Sequence, residues 1–117
     1  MAAGYSVNRL IAAGTTNATL VKAAPGTVNG WHLANVAAYA VYFKLYDSAT
    51  IPTAGAGTPK LTIGVPAGAM GTINLGSDPA EAIVFLSGIG FTITKLAADA
   101  DTTVVVAGDL VANLLYR

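Results

Sequence analysis

His32 is the only histidine of this 117-residue chain, so any histidine chemistry must involve it. A metal site needs several converging ligands, and a hydrolytic triad needs a histidine beside a nucleophile and an orienting group. His32 follows Trp31 within a run of residues typical of a β-strand. We therefore expect a partly buried histidine that is hydrogen-bonded to backbone, and neither a metal ligand nor a catalytic base.

Six carboxylates are the next candidates for acid–base or metal chemistry. Paired catalytic acids need a defined separation across a cleft, and only Asp99 and Asp101 are neighbours in the sequence. With Asp109 they could offer oxygen ligands to Ca²⁺, but aspartate and threonine are also ordinary turn residues. We favour the turn, and the sequence predicts no metal, no cofactor and no catalytic residue.

Glycine-rich segments can bind phosphate groups, and the segment 54–60 contains Gly55 and Gly57. It lacks both the third glycine of a dinucleotide-binding loop and the Gly-Lys-Ser/Thr sequence of a phosphate loop. We expect a flexible surface loop at this position. The chain is therefore predicted not to be an enzyme.

Tyr42 and Tyr46 are the residues that we predict as possible protein contacts. They alternate with Val41, Phe43 and Leu45 and so belong to the opposite face of one strand. Aromatic side chains exposed at this spacing could form a protein hot spot or a sugar-binding platform. The alternative is a second buried face, in which a loop covers both tyrosines.

The composition excludes several classes of function and favours assembly. Six lysines and arginines balance six aspartates and glutamates, whereas a nucleic-acid-binding protein usually has a basic surplus. No apolar run reaches the roughly 18 residues of a membrane span, and without cysteine no disulfide can form. Only 10% of the residues are charged, against about 25% in ordinary soluble domains. A surface of Thr, Ala, Ser, Asn and Gly loses little on desolvation, which favours a homo-oligomer.

Thirteen glycines and five prolines separate short runs rich in β-branched and aromatic residues, a pattern that indicates strands. The sequence predicts a single-domain, all-β, antiparallel β-sandwich of seven to nine short strands over residues 16–117. A jelly roll, an immunoglobulin-like sandwich and a small barrel all remain open. Residues 1–15 are predicted as an N-terminal arm or an edge strand. The strands are expected at 16–23, 28–36, 39–46, 61–65, 70–75, 83–86, 89–95 and 110–116, with residues 102–107 as strand or extended loop and residues 78–81 as helical turn or loop.

Three segments of the chain resemble small structural proteins of tailed bacteriophages. They are residues 17–28 (NATLVKAAPGTV), residues 42–47 (YFKLYD), and residues 100–103 (ADTT) followed by residues 113–117 (NLLYR). The likeness covers most of the chain after residue 15. None of these segments contains a catalytic motif. The resemblance to phage structural proteins implies that this protein is a virion component.

The resemblance implies a head decoration, or cement, protein that forms a trimer and binds several subunits of the major capsid protein. Such a protein is made in the host cytoplasm and ends on the capsid surface of the virion. A tail, baseplate or fibre component is the alternative within the same class. A carbohydrate-binding β-sandwich is the alternative from another class.

Overall fold

The computed structural model describes residues 4–76 and 80–117, and these residues form nine antiparallel strands without a helix. Five strands form one sheet, sheet A, and four form the other, sheet B. The chain is therefore the all-β sandwich that the sequence predicts. The strands are β1 (Ser6–Ile11), β2 (Thr19–Lys22), β3 (Gly26–Asn35), β4 (Val41–Asp47), β5 (Leu61–Val65), β6 (Met70–Asn74), β7 (Ile83–Phe85), β8 (Ile89–Thr94) and β9 (Leu110–Tyr116).

The strand pairing follows a nested pattern. The tip of the pattern is the β4–β5 hairpin, and outside it β3 pairs with β6 and β7, β2 with β8, and β1 with β9. The chain is thus one long antiparallel ribbon rolled up, with sheet order β1-β9-β3-β6 in sheet A and β2-β8-β4-β5 in sheet B. A rolled ribbon of this kind is a jelly roll, with β6 and β7 sharing the place of one strand beside β3.

The core lies between the two sheets and consists of the inward-facing residue of each alternating pair. In β4 the side chains of Val41, Phe43 and Leu45 are fully buried, which confirms the facing that the period of two predicts. The Phe43 ring lies 4.6 Å from the Phe91 ring of β8, centroid to centroid. Because both rings are on sheet B, they form the aromatic centre against which sheet A packs.

Most strand positions agree with the sequence prediction, and the differences occur at strand ends. β9 and β5 have the predicted bounds, whereas β4 begins at Val41 and not at residue 39. Residues 102–106 join neither sheet and residue 107 begins a turn, and Val105 among them is buried in the core. Part of the predicted turn or loop at 78–81 lies outside the described residues. Residues 1–15 were predicted as an arm or an edge strand. Within them, β1 forms the edge strand of sheet A and pairs with β9 over six residues.

Candidate interaction surface

The residues singled out for chemistry are separate from one another in the structure. His32 lies exposed on β3, so the expectation of a partly buried ring was wrong. Its backbone carbonyl, and not its ring, takes part in the observed bond, which Asn113 Nδ2 donates at 3.2 Å. Among residues 4–76 and 80–117, no group of three His, Asp or Glu side chains is placed to hold a metal ion.

The Asp47 carboxylate is hydrogen-bonded to the backbone of the turn between β7 and β8. Its carboxylate accepts hydrogen bonds from the amides of Leu86, Ser87 and Gly88 at 2.9, 2.8 and 3.3 Å. The Leu86 and Ser87 bonds stabilise the ionised form and hold the pKa of Asp47 below its ordinary value. Asp47 therefore joins the end of β4 to the start of β8.

Asp101 organises the loop that follows β8, as the turn interpretation expects. Burial opposes its ionisation, but hydrogen bonds from Thr103 and from the Leu96 amide outweigh burial and lower the pKa of Asp101. Asp109 instead accepts a hydrogen bond from the Tyr39 hydroxyl and one from the Val106 amide at 2.8 Å. The Asp109 bond in turn raises the pKa of Tyr39. Both carboxylates therefore serve as structural acceptors in separate loops, and the Asp109 carboxylate also joins its loop to Tyr39, 70 residues away.

The outer face of sheet B is covered by the chain itself. Residues 95–104, which we call the covering segment, follow β8 and carry the carbonyl of Ala98. Lys44 on this face is fully buried, and its amino group donates to that carbonyl at 2.6 Å. Thr92 and Thr94 of the neighbouring strand are fully buried as well. The central part of this face, on β4 and β8, is therefore polar in sequence but excluded from solvent, whereas Thr62 of β5 at its edge is exposed.

Tyr42 and Tyr46 belong to this covered face. Tyr46 is 6% exposed, and its hydroxyl accepts a hydrogen bond from Thr92 Oγ1 at 3.3 Å. Tyr42 is half-buried, and its ring lies against Gly64 of β5, where an added Cβ would approach it to 3.0 Å. Tyr46 is therefore buried as the alternative of a second buried face expects, whereas Tyr42 is only partly so. Their role as protein contacts stays a prediction, and the burial of Tyr46 removes most of the surface that it required.

An open cleft of about 370 Å³ lies beside Tyr46, between the end of β4 and the loop that leads to β5. Four of its ten lining residues carry hydroxyl groups on small side chains: Ser48, Thr50, Thr53 and Thr58. The Asp47 carboxylate also lines it but is already held by three backbone amides. The predicted flexible loop at 54–60 forms part of this wall, with Gly55 and Gly57 at positive φ.

The outer face of sheet A has the opposite character, because no segment comparable to residues 95–104 covers its centre in the described part of the chain. Two rows of side chains cross it from strand to strand. Arg9, Asn113, His32 and Thr72 form a polar row, and beside it runs a row of apolar residues. The apolar row consists of Ile11, Val111, Ala34 and Met70.

We call these two rows, together with Val7, the open face. Val7, Ile11 and Met70 are 56%, 51% and 75% exposed, so three large apolar residues share one open face. Arg9 is the only residue of this set with a permanent charge, and the set contains no carboxylate. Desolvating such a face costs little free energy, and no segment within residues 4–76 and 80–117 covers it.

Sequence reasoning did not identify the open face, although part of the signal is present. Val7, Arg9 and Ile11 alternate with Asn8 and Leu10, which places them on one side of a strand. The pattern cannot say which face of the sandwich remains uncovered. That depends on the pairing of β1 with β9, more than 90 residues away in the chain.

No family model, curated protein or solved structure matches this chain. Within residues 4–76 and 80–117, no helix has the length and apolar character needed to cross a membrane.

Proposed function

We propose that this protein is a non-enzymatic structural protein of a tailed-bacteriophage virion, a capsid decoration or cement protein. The observation that carries the proposal is the open face of sheet A, with its exposed Ile11 and Met70 and its single permanent charge. Large exposed apolar residues gathered on one face are typical of protein interaction sites. Three sequence segments resemble phage structural proteins, and this resemblance is the reason for proposing a virion as the assembly.

The low charge of the chain supports a role that depends on buried surface. Several ionisable side chains are engaged within the domain: Lys44, Asp47, Asp101, Asp109 and Arg117 bind backbone groups of their own chain. Lys44 is fully buried and so adds no charge to the surface, while the three aspartates remain partly exposed. Burying a neutral surface avoids the free energy of stripping water from ions, so modest apolar contacts suffice.

A trimer that binds several major capsid subunits would strengthen such contacts. Once one subunit of a trimer is bound, the other two face their sites at a high effective concentration. Weak contacts made by each open face then combine into stable decoration. The same reasoning applies to a tail, baseplate or fibre location, which differs only in the partner protein.

Carbohydrate binding is the second candidate function, and the cleft beside Tyr46 is the observation in its favour. Its Ser and Thr hydroxyl groups could hydrogen-bond to sugar hydroxyls. Sugar sites also use aromatic faces for apolar contact. The ring of Tyr46 is buried and the Asp47 carboxylate is engaged, so we rank this function below assembly.

The test is to add the purified protein to phage heads assembled without it and to determine where it binds by cryo-electron microscopy. We expect density at repeated positions on the capsid, and a trimer by light scattering. Binding only at the tail would favour the alternative location. A monomer that does not bind phage heads but binds a glycan array would refute the proposal.

A matched pair of variants tests the face. Met70→Glu places a charge in the apolar row, and we expect at least about a tenfold loss of particle binding, because the charge would be buried without a partner. Ile51→Glu is the control, since Ile51 is also an exposed aliphatic residue (63%) but lies in the loop after β4. Equal binding by both variants would exclude the open face as the contact.

A further inference from the structure

β1 is the least protected edge in the described part of the sandwich. It pairs with β9 over six consecutive residues without a bulge, and its other side has no neighbouring strand. An edge of this length presents backbone groups ready to pair with another chain. β1 also contains no proline and no lysine, which are the usual means of preventing such pairing.

The other strand edges are shorter or interrupted. β2 has four residues, a register shift and Lys22 at its end. β5 is preceded by Lys60 and followed by Pro66. At the far edge of sheet A the strand is divided into β6 and β7, and β7 has only three residues. An incoming strand would therefore find its longest continuous template at β1.

The backbone groups that β1 offers can be identified from the ladder. The Ala12 amide donates to the Leu110 carbonyl at 2.8 Å, one residue beyond the Ile11–Val111 pair. Because hydrogen-bonded pairs alternate along an antiparallel ladder, Leu10 and Asn8 also direct their backbone groups to β9. The N–H and C=O groups of Val7, Arg9 and Ile11 consequently point to the free side.

Arg9 determines what can pair there. Its side chain is exposed and has no ion-pair partner among the described residues. In a symmetric pairing of two β1 strands that sets Val7 opposite Ile11, Arg9 would face the same arginine of the other copy. Like charges directly opposite each other destabilise a strand pair. In this register β1 is thus protected against its own copies but not against a strand with a negative charge opposite Arg9.

We propose that β1 binds an extended segment of a different protein by strand addition, with an aspartate or glutamate opposite Arg9. Apolar residues of that segment would lie opposite Val7 and Ile11, giving the pattern apolar-x-acid-x-apolar. Main-chain hydrogen bonds supply affinity in such complexes, and alternate side chains supply specificity. The inference rests on the proposed structural function in that it assigns this segment to the coat protein that the chain decorates.

The first test uses two capped peptides, TVTETVT and TVTKTVT, titrated into the full-length protein and followed by NMR. We expect the glutamate peptide to shift the amide signals of Val7, Arg9 and Ile11 and to bind about 5- to 10-fold more tightly than the lysine peptide. Arg9→Glu should reverse this preference. The absence of binding by either peptide at about 1 mM, or an unchanged preference in Arg9→Glu, would refute the inference.

A second pair of variants separates strand addition from simple surface contact. Val7→Pro removes an N–H that faces away from β9, so the fold should tolerate it while strand addition fails. Val7→Thr keeps the N–H and is the control. Thermal melting checks that both variants are folded, and only Val7→Pro should lose the glutamate peptide.

Binding to phage heads distinguishes failure of the inference from failure of the proposed function. If Val7→Pro decorates heads as well as Val7→Thr does, the edge inference is wrong and the proposed function stands. The wild-type protein could instead fail to bind phage heads while still preferring the glutamate peptide. The virion role would then be wrong, and the β1 edge would remain a binding site for an acidic strand.

Discussion

The two outer faces of this sandwich differ in a way that reverses the usual expectation. The outer face of sheet B carries Lys44, Thr92 and Thr94, yet all three side chains are fully buried. The outer face of sheet A carries Ile11 and Met70, and both are at least half exposed. Polar side chains are thus covered by the chain itself, while large apolar ones remain in contact with solvent.

The reversal has a physical reason on the sheet B side. Lys44 donates to the Ala98 carbonyl, Thr94 donates to the Leu96 carbonyl, and Thr92 donates to the Tyr46 hydroxyl. Within the described residues, no buried side-chain nitrogen or oxygen lacks a hydrogen-bond partner. A polar face can therefore be buried at little net free-energy cost, because every desolvated group is satisfied.

On the sheet A side the same reasoning indicates a partner outside the chain. An apolar row that crosses four strands gains free energy only when something removes it from water. The described part of the chain supplies no such cover. The comparison teaches that hydrophobicity by itself does not identify the buried face; the presence of a covering segment does.

Tyr46→Ala should give the largest effect among variants of the two outer faces. We expect a loss of about 2 to 4 kcal/mol in the free energy of unfolding, because the ring is buried beneath the chain as a core aromatic would be. Urea unfolding measures the loss, with Phe43→Ala as the core reference at about 3 to 5 kcal/mol. A loss below about 1 kcal/mol would mean that the sheet B face is not covered in solution.

Lys44→Met should release the covering segment while keeping the aliphatic part of the side chain. We expect a loss of about 1 to 2 kcal/mol, since the bond to the Ala98 carbonyl disappears. Hydrogen exchange should accelerate in residues 95–104 and remain unchanged in β9. Lys22→Met, on edge strand β2, serves as the control, and equal exchange in the two variants would contradict the role of Lys44.

Asp47→Asn should show a loss of stability that depends on pH. The lowered pKa means that the ionised carboxylate stabilises the folded state above the ordinary aspartate range near 4. This contribution falls as the pH drops through the folded-state pKa. The difference in melting temperature between wild type and Asp47→Asn should therefore be largest near pH 7 and shrink towards pH 3. A difference that is constant over this range would show that the Asp47 charge is not involved.

Met70→Thr should give the smallest effect on the isolated chain. A side chain that is 75% exposed contributes little to folding, so we expect a change within about 0.5 kcal/mol. The same variant should reduce the average oligomer mass or the occupancy on phage heads. If unfolding free energy falls by more than about 1 kcal/mol, Met70 packs within its own chain, and the contrast between the two faces is lost.

Much of the fold could be predicted because strand patterns are local. The alternation of Val41, Phe43 and Leu45 marked an inward face, and Leu110 to Tyr116 marked the last strand with its observed bounds. Asp101 was also interpreted correctly as a turn residue. The candidate site was not predicted, because Tyr46 and Met70 differ in exposure for reasons that lie in distant parts of the chain.

The sequence by itself determined an all-β chain, the approximate positions of β2 to β9 and the inward face of strands such as β4. These properties depend on residues within a few positions of each other, where backbone preference and the period of two act directly. Tertiary structure alone decided the nested strand order, the covering of the sheet B face and the exposure of the sheet A face. The reason is that contacts such as that of Lys44 with Ala98, 54 residues apart, exist only once the ribbon has rolled up.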